Sequence, residues 1–166
     1  MKIAIISDSH DNIPNIEKFL DWANENKIDT IIHCGDISAP AVITKEFAPK
    51  FKGQIHLVHG NVSDRDLLEE VCDNHEKITL HGDKGEIEVD AIKIAFCHFP
   101  EVAHTLAESG KYGLVFNGHT HKPWTEKVGN VILANPGTLG GMFQKASFAV
   151  YDTGAKNLEL KILETL

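Results

Sequence analysis

Seven side chains able to bind a metal ion stand where apolar runs of this sequence end. They are Asp8 and His10 in Asp8-Ser9-His10, Asp36 after Gly35, Asn61 after Gly60, His98 after Cys97, and His119 and His121 in Gly118-His119-Thr120-His121. Two Asp, one Asn and four His offer oxygen and imidazole donors without a thiolate. That set suits Mn²⁺, Fe, Zn²⁺, Ni²⁺ or Co²⁺ better than an all-oxygen Mg²⁺ or Ca²⁺ cage. It is too large for one four-coordinate ion and suits two ions that share a bridging carboxylate. On an extended backbone the i, i+2 spacing of Asp8/His10 and of His119/His121 aims both members of each pair the same way. Glycines before Asp36, Asn61 and His119 let the chain turn sharply and leave room for ions and substrate. Singly, each motif is an ordinary turn or cap signal. Together, each at the end of a strand-like run, they predict one site.

The elements that must position these groups follow from the apolar pattern. Lys2–Ser7, Thr30–Cys34 and Gln54–His59 read as strands, the first with the two-sided burial of a sheet covered on both faces. Ile16, Phe19, Leu20 and Ala23 fall at helical spacing. Ser38-Ala39-Pro40 reads as a helix start, and Ser63 as the cap of a helix containing Leu67, Leu68 and Val71. Alternating strands and helices imply a parallel sheet. Further along, Lys77–His81 and Glu86–Val89 around Gly82-Asp83-Lys84-Gly85 suggest a hairpin. Ile92–Cys97 is a strand, Glu101–Ser109 a helix ending at Gly110, and Leu114–Asn117 a strand. Trp124–Val128, Val131–Ala134, Ser147–Tyr151 and Leu158–Leu163 read as an antiparallel finish. The expected fold class is α/β in one domain over residues 1–166, with two packed sheets and helices outside. Ligands bind beyond the carboxyl ends of strands in open α/β sheets, so residues from Asp8 to His121 would converge on one edge.

Composition narrows the function. The chain carries 24 acidic and 16 basic residues, a formal charge of −8, and has no basic run. A long nucleic acid held through its phosphates is therefore disfavoured. A metal cluster could offset the acidic balance locally and leave a small phosphate ester as an acceptable ligand. A mean hydropathy of −0.16 reads as soluble and globular,. The opening apolar run, Ile3–Ile6, is too short for a signal peptide or a membrane span. Cys34, Cys72 and Cys97, odd in number and without CxxC spacing, fit reduced core thiols in a cytoplasmic protein.

The five motifs in order, D-x-H, GD, GN, H and GHxH, resemble those of the calcineurin-like metallophosphoesterase superfamily. The similarity is to its small single-domain bacterial and archaeal phosphodiesterases, and it runs from Asp8-Ser9-His10 to Asn135-Pro136-Gly137. It implies a four-layer sandwich of two mixed β-sheets flanked by α-helices. It further implies a binuclear centre with Asp8, His10 and His121 at one ion, Asn61, His98 and His119 at the other, and Asp36 bridging. The expected cofactors are two divalent ions, Mn²⁺ first, that hold a bridging hydroxide for in-line attack on phosphorus. Asp36, Asn61 and His98 are the expected catalytic residues, and a small phosphodiester is the expected substrate. Val62 stands where many relatives carry a histidine that helps protonate the leaving group. The His98-Phe99-Pro100 segment lacks the second histidine frequent in close relatives. A phosphomonoesterase, or a scaffold of the same fold like one retromer subunit, are the alternatives, and a homo-oligomer is left open. The complete ligand set favours the enzyme.

Overall fold

A computed structural model describes residues 1–166. The chain runs β1 (Lys2–Ile6), α1 (Ile13–Glu25), β2 (Thr30–His33), a π-helical turn (Ile43–Phe47) leading into α2 (Ala48–Lys50), β3 (Gln54–Leu57), α3 (Arg65–Asp73) and β4 (Ile78–Leu80). It continues through β5 (Lys84–Val89), β6 (Ile92–Cys97), α4 (Pro100–Glu108), β7 (Leu114–Phe116), β8 (Trp124–Val128), β9 (Val131–Asn135), β10 (Ser147–Asp152) and β11 (Asn157–Ile162). One sheet has the order β11-β10-β1-β2-β3-β4 and the other β5-β6-β7-β9-β8. Both are mixed: β1 to β4 are mutually parallel, as are β6, β7 and β9, and antiparallel strands lie at the edges.

The alternation of side chains along a strand builds the layers. Ile3 and Ile5 of β1 face the second sheet and pack with Ile32, Ile94, Phe96, Leu114 and Phe116. Ala4 and Ile6, on the other face of β1, pack with Ile16, Phe19, Leu20 and Ala23 of α1 and with Phe47 and Leu68. Behind the second sheet, Ala103 and Ala107 of α4 cover Ala95, Val115 and Leu133. The result is helix, sheet, sheet, helix, as expected for β1 and α1. All eight residues named here from β1 and α1 are fully buried.

The helix start expected at Ser38-Ala39-Pro40 is found: Ala41 and Val42 are helical before the ladder widens to π pairing, in which Ala48 N–H donates to Ile43 O. Pro49 lies just beyond and has no N–H to continue an α-helical ladder. Three local expectations are corrected. Asp64, not Ser63, caps α3, accepting from Leu67 N at 3.1 Å, while the Ser63 hydroxyl donates to Ile37 O. The segments 77–81 and 86–89 do not form a hairpin. β4 pairs with β3 in one sheet, whereas β5 pairs with β6 in the other around Asp90-Ala91. Gly85 is a strand residue opposite Phe96, and a Cβ on it would lie 2.1 Å from that ring, so it answers to packing and not to a turn,. Finally, β9 is parallel to β7, so only part of the C-terminal region is antiparallel.

Candidate metal centre

The carboxyl ends of β1, β2 and β3 in one sheet and of β6 and β7 in the other meet at one pole, and each is followed by a motif residue. All seven sequence-predicted residues come together there. The Asp8 Oδ1 atom lies 3.2 Å from His121 Nε2 and 4.0 Å from His10 Nε2, and the two imidazole nitrogens are 3.2 Å apart. On the other side, His98 Nε2 is 2.9 Å from Asn61 Oδ1 and 3.2 Å from His119 Nδ1, which is itself 3.1 Å from Asn61 Oδ1. Between the two groups lies Asp36. Its Oδ1 is 3.4 Å from His98 Nε2 and its Oδ2 is 3.7 Å from His10 Nε2, so one carboxylate presents an oxygen to each half.

The backbone that aims these groups is not extended. Asp8, His10, Asp36, His119 and His121 have φ of 50°, 41°, 62°, 72° and 59°. This corrects the extended geometry expected for the i, i+2 pairs. A left-handed non-glycine residue costs roughly 1–2 kcal/mol, and five at one pole concentrate strain where surrounding bonds must hold it. Those bonds are present. Asp8 N donates to Gly35 O at 3.0 Å and His10 N to Asp36 O at 3.2 Å. Thr138 Oγ1 donates to Asp8 O at 2.8 Å, and His119 N donates to Asp8 Oδ2 at 3.0 Å. Asn61 N donates to Asp36 Oδ1 at 2.8 Å. Asn135, given earlier only as part of a motif near the end, donates from its amide to Gly118 O at 2.7 Å and to Thr120 Oγ1 at 3.1 Å, bracing the His119–His121 turn.

The hydrogen bonds behind the imidazoles set their tautomers. His98 Nδ1 faces Cys34 O at 2.9 Å and His121 Nδ1 faces Met142 O at 3.2 Å. A carbonyl only accepts, so each Nδ1 donates, and in a neutral, metal-ligating ring each Nε2 turns a lone pair into the site. For His98 that lone pair meets the oxygen of Asn61, an acceptor facing an acceptor. Asp8 Oδ1 is buried with no hydrogen-bond partner. Burial also pushes the Asp8 carboxyl above its usual range, with the charge of Asp36 adding to the effect. Converging lone pairs and an orphaned buried carboxylate oxygen repel one another unless a cation lies among them. The donor set therefore fits metal ions, and two overlapping groups, Asp8/His10/His121 and Asp8/Asp36/His98, have ligand atoms within 4.8 Å of one another.

Several neighbours of the site carried no warning in the sequence. Phe99 packs edge-on against the rings of His98 and His119, with centroids 5.0 and 4.9 Å away. Phe143, 91% exposed and at φ 63°, stands over His121. The Asp11 carboxylate accepts from Ser38 N and Ala39 N at 3.1 and 2.7 Å, which ties the loop after Asp36 to the loop after β1. Thr138 and Asp11 look like ordinary loop residues until the fold brings their partners to them. By contrast His104 is surface-exposed on α4, 3.5 Å from Glu126, and takes no part.

This fold and ligand constellation define a class: the chain belongs to the calcineurin-like phosphoesterase superfamily, whose domain model matches residues 1–156. Among its relatives is a phosphodiesterase of Methanocaldococcus jannaschii, 34% identical over 99% of this chain and 100% of that protein. A solved archaeal phosphodiesterase superposes with a TM-score of 0.89 at 32% identity, covering 98% of this chain and 99% of its own. Vps29 of Entamoeba histolytica, solved as a complex with zinc, shares the fold, with a TM-score of 0.68 at 19% identity over 98% of this chain and 99% of its own.

Proposed function

We propose that the chain is a metal-dependent phosphodiesterase acting on small phosphodiesters through two divalent ions, Mn²⁺ first among the candidates. Asp8, His10 and His121 would hold one ion, Asn61, His98 and His119 the other, and Asp36 would reach both. The observation that carries this reading is the inward convergence of His98 Nε2 and His121 Nε2 on acceptor oxygens, with Asp8 Oδ1 left unpartnered. The family membership and the phosphodiesterase relative support the reaction class. Bound as a pair, such ions would lower the pKa of a water and offset the charge on a phosphate.

The protein's own groups do the rest. The Asn61 amide nitrogen is free to donate towards a phosphate oxygen, since its Oδ1 is the atom turned to the histidines,. The carbonyls of Cys34 and Met142 keep the His98 and His121 lone pairs aimed inward. Val62 offers no proton to a leaving oxygen. The three cysteines are free and buried, in keeping with a reducing, cytoplasmic setting. The test is metal analysis of the purified protein, then turnover of bis(p-nitrophenyl) phosphate with Mn²⁺, Ni²⁺ or Mg²⁺ added back. Two ions per chain and turnover are expected, with both lost in Asp36→Asn. Two bound ions without turnover would instead favour a scaffold of this fold, and a preference for p-nitrophenyl phosphate a phosphomonoesterase.

A further inference from the structure

Beside the His98/His119 half of the site opens a cleft of about 420 Å³ lined by His59, Asp83, Lys84, Cys97, Phe99 and Val102. It adjoins the metal-binding pole, because its Phe99 wall is the ring packed against His98 and His119. His59 and Cys97 each stand next to a glycine or ligand of that pole, before Gly60-Asn61 and His98 respectively. The size lies within the range of small-ligand pockets. Its lining is mainly apolar: the Phe99 ring and Val102 offer two walls, and the His59 ring, only 7% exposed, lines it beside them.

In-line displacement fixes which part of a diester can lie here. The attacking and leaving oxygens are roughly collinear through phosphorus, so the leaving group departs away from the ion-binding pole. The ester arm that stays on phosphorus projects sideways, alongside the ligands, where the cleft begins. We propose that this cleft holds an aromatic group on the retained arm of the substrate, packed between Phe99, Val102 and the His59 ring. The substrate class is thereby an aryl or nucleoside-like phosphodiester, and a monoester, lacking that arm, forgoes the contact. This inference rests on the phosphodiesterase reading.

The test uses the full chain loaded with Mn²⁺ and two substrates with the same leaving group, bis(p-nitrophenyl) phosphate and methyl p-nitrophenyl phosphate. The aryl-armed substrate should have a KM at least about tenfold lower. Val102→Trp, a change at a 37%-exposed position of α4, should fill the cleft and abolish that difference by raising the aryl-armed substrate's KM to that of the methyl substrate. A KM difference that survives Val102→Trp would overturn the proposal. A second readout does not need turnover: in histidine-labelled protein loaded with diamagnetic Zn²⁺, the ring resonances of His59 should shift with diphenyl phosphate and not with dimethyl phosphate. No shift at His59 would also overturn the subsite. A His59 shift without turnover of either substrate would support the subsite and count against the phosphodiesterase reading alone.

Discussion

Gly60 shows how little space the site leaves. A Cβ at this position would lie 1.9 Å from Asp36 Oδ1 and 2.3 Å from Asp36 N, so no side chain fits without moving the carboxylate that faces both halves. Gly60→Ala should therefore weaken metal binding at least about tenfold, the usual scale for disturbing a ligand's support. Calorimetric titration with Mn²⁺ against the wild type checks this, and unchanged affinity would show that Asp36 is not so confined. Val62, 41% exposed beside Asn61, leads to a second expectation. A positioned acid contributes on the order of 10²–10⁴-fold, and a valine contributes none. Aryl diesters, whose leaving oxygens need no proton, should be cleaved at least about 100-fold faster than alkyl diesters. Comparable rates would reveal a proton donor elsewhere in the site.

At the level of elements, the β5–β6 hairpin carries a strain unrelated to the site. Asp90 and Ala91 form its two-residue turn with φ of 49° and 61°, the left-handed pair that matches the twist of a tight hairpin. Asp90 belongs there: its carboxylate accepts from Thr153 Oγ1 at 2.6 Å and from the N-terminal ammonium at 3.3 Å. Ala91 gains nothing from its conformation and pays the Cβ penalty. Ala91→Gly should stabilise the protein by roughly 0.5–1 kcal/mol, the left-handed cost less the extra entropy glycine loses on folding. Urea unfolding would measure it, with a fall in midpoint contradicting the assignment. The turn lies at the opposite end of β6 from Cys97 and His98, so metal binding should not change.

Across the whole molecule, acid acts through a buried histidine. His33 sits in β2 between the layers, and burial holds its imidazole down to about 3, with His98 and His10 adding to the effect. The unfolded chain takes up a proton near pH 6.5, whereas the folded one does not until about pH 3. Stability from His33 is therefore complete above pH 6.5 and is lost as the pH falls towards 3. Between pH 7 and pH 5 the loss is ~2 kcal/mol, at about 1.4 kcal/mol per pH unit below 6.5. The raised carboxyl of Asp8 contributes with the opposite sign, so the comparison must be made against a variant. His33→Asn should remove ~2 kcal/mol of the pH 7-to-5 change in unfolding free energy, whatever its own stability at pH 7. An identical pH dependence in both proteins would mean that His33 titrates normally.

The sequence alone determined which donor side chains gather at one pole and the layers that bring them together. Asp8, His10, Asp36, Asn61, His98, His119 and His121 are legible because polar donors after apolar runs break the pattern, β1 because an unbroken Ile-rich run suits a strand covered on both faces, and α1 because a period of about 3.6 is a local property of the chain. Tertiary structure decided what depends on partners distant in sequence. Gly85 reads as a turn until Phe96 is placed opposite it, and the 77–89 segment reads as one hairpin until its two strands are claimed by different sheets. The left-handed turns at Asp8, His10, His119 and His121 have no local signal. They are held by Gly35, Asp36, Asn135 and Thr138, whose bonds to them exist only once the two sheets are packed. The cleft beside Phe99 is likewise a property of packing, because Phe99 becomes a wall of it only when the loop after β3, the start of β5 and the start of α4 are brought together.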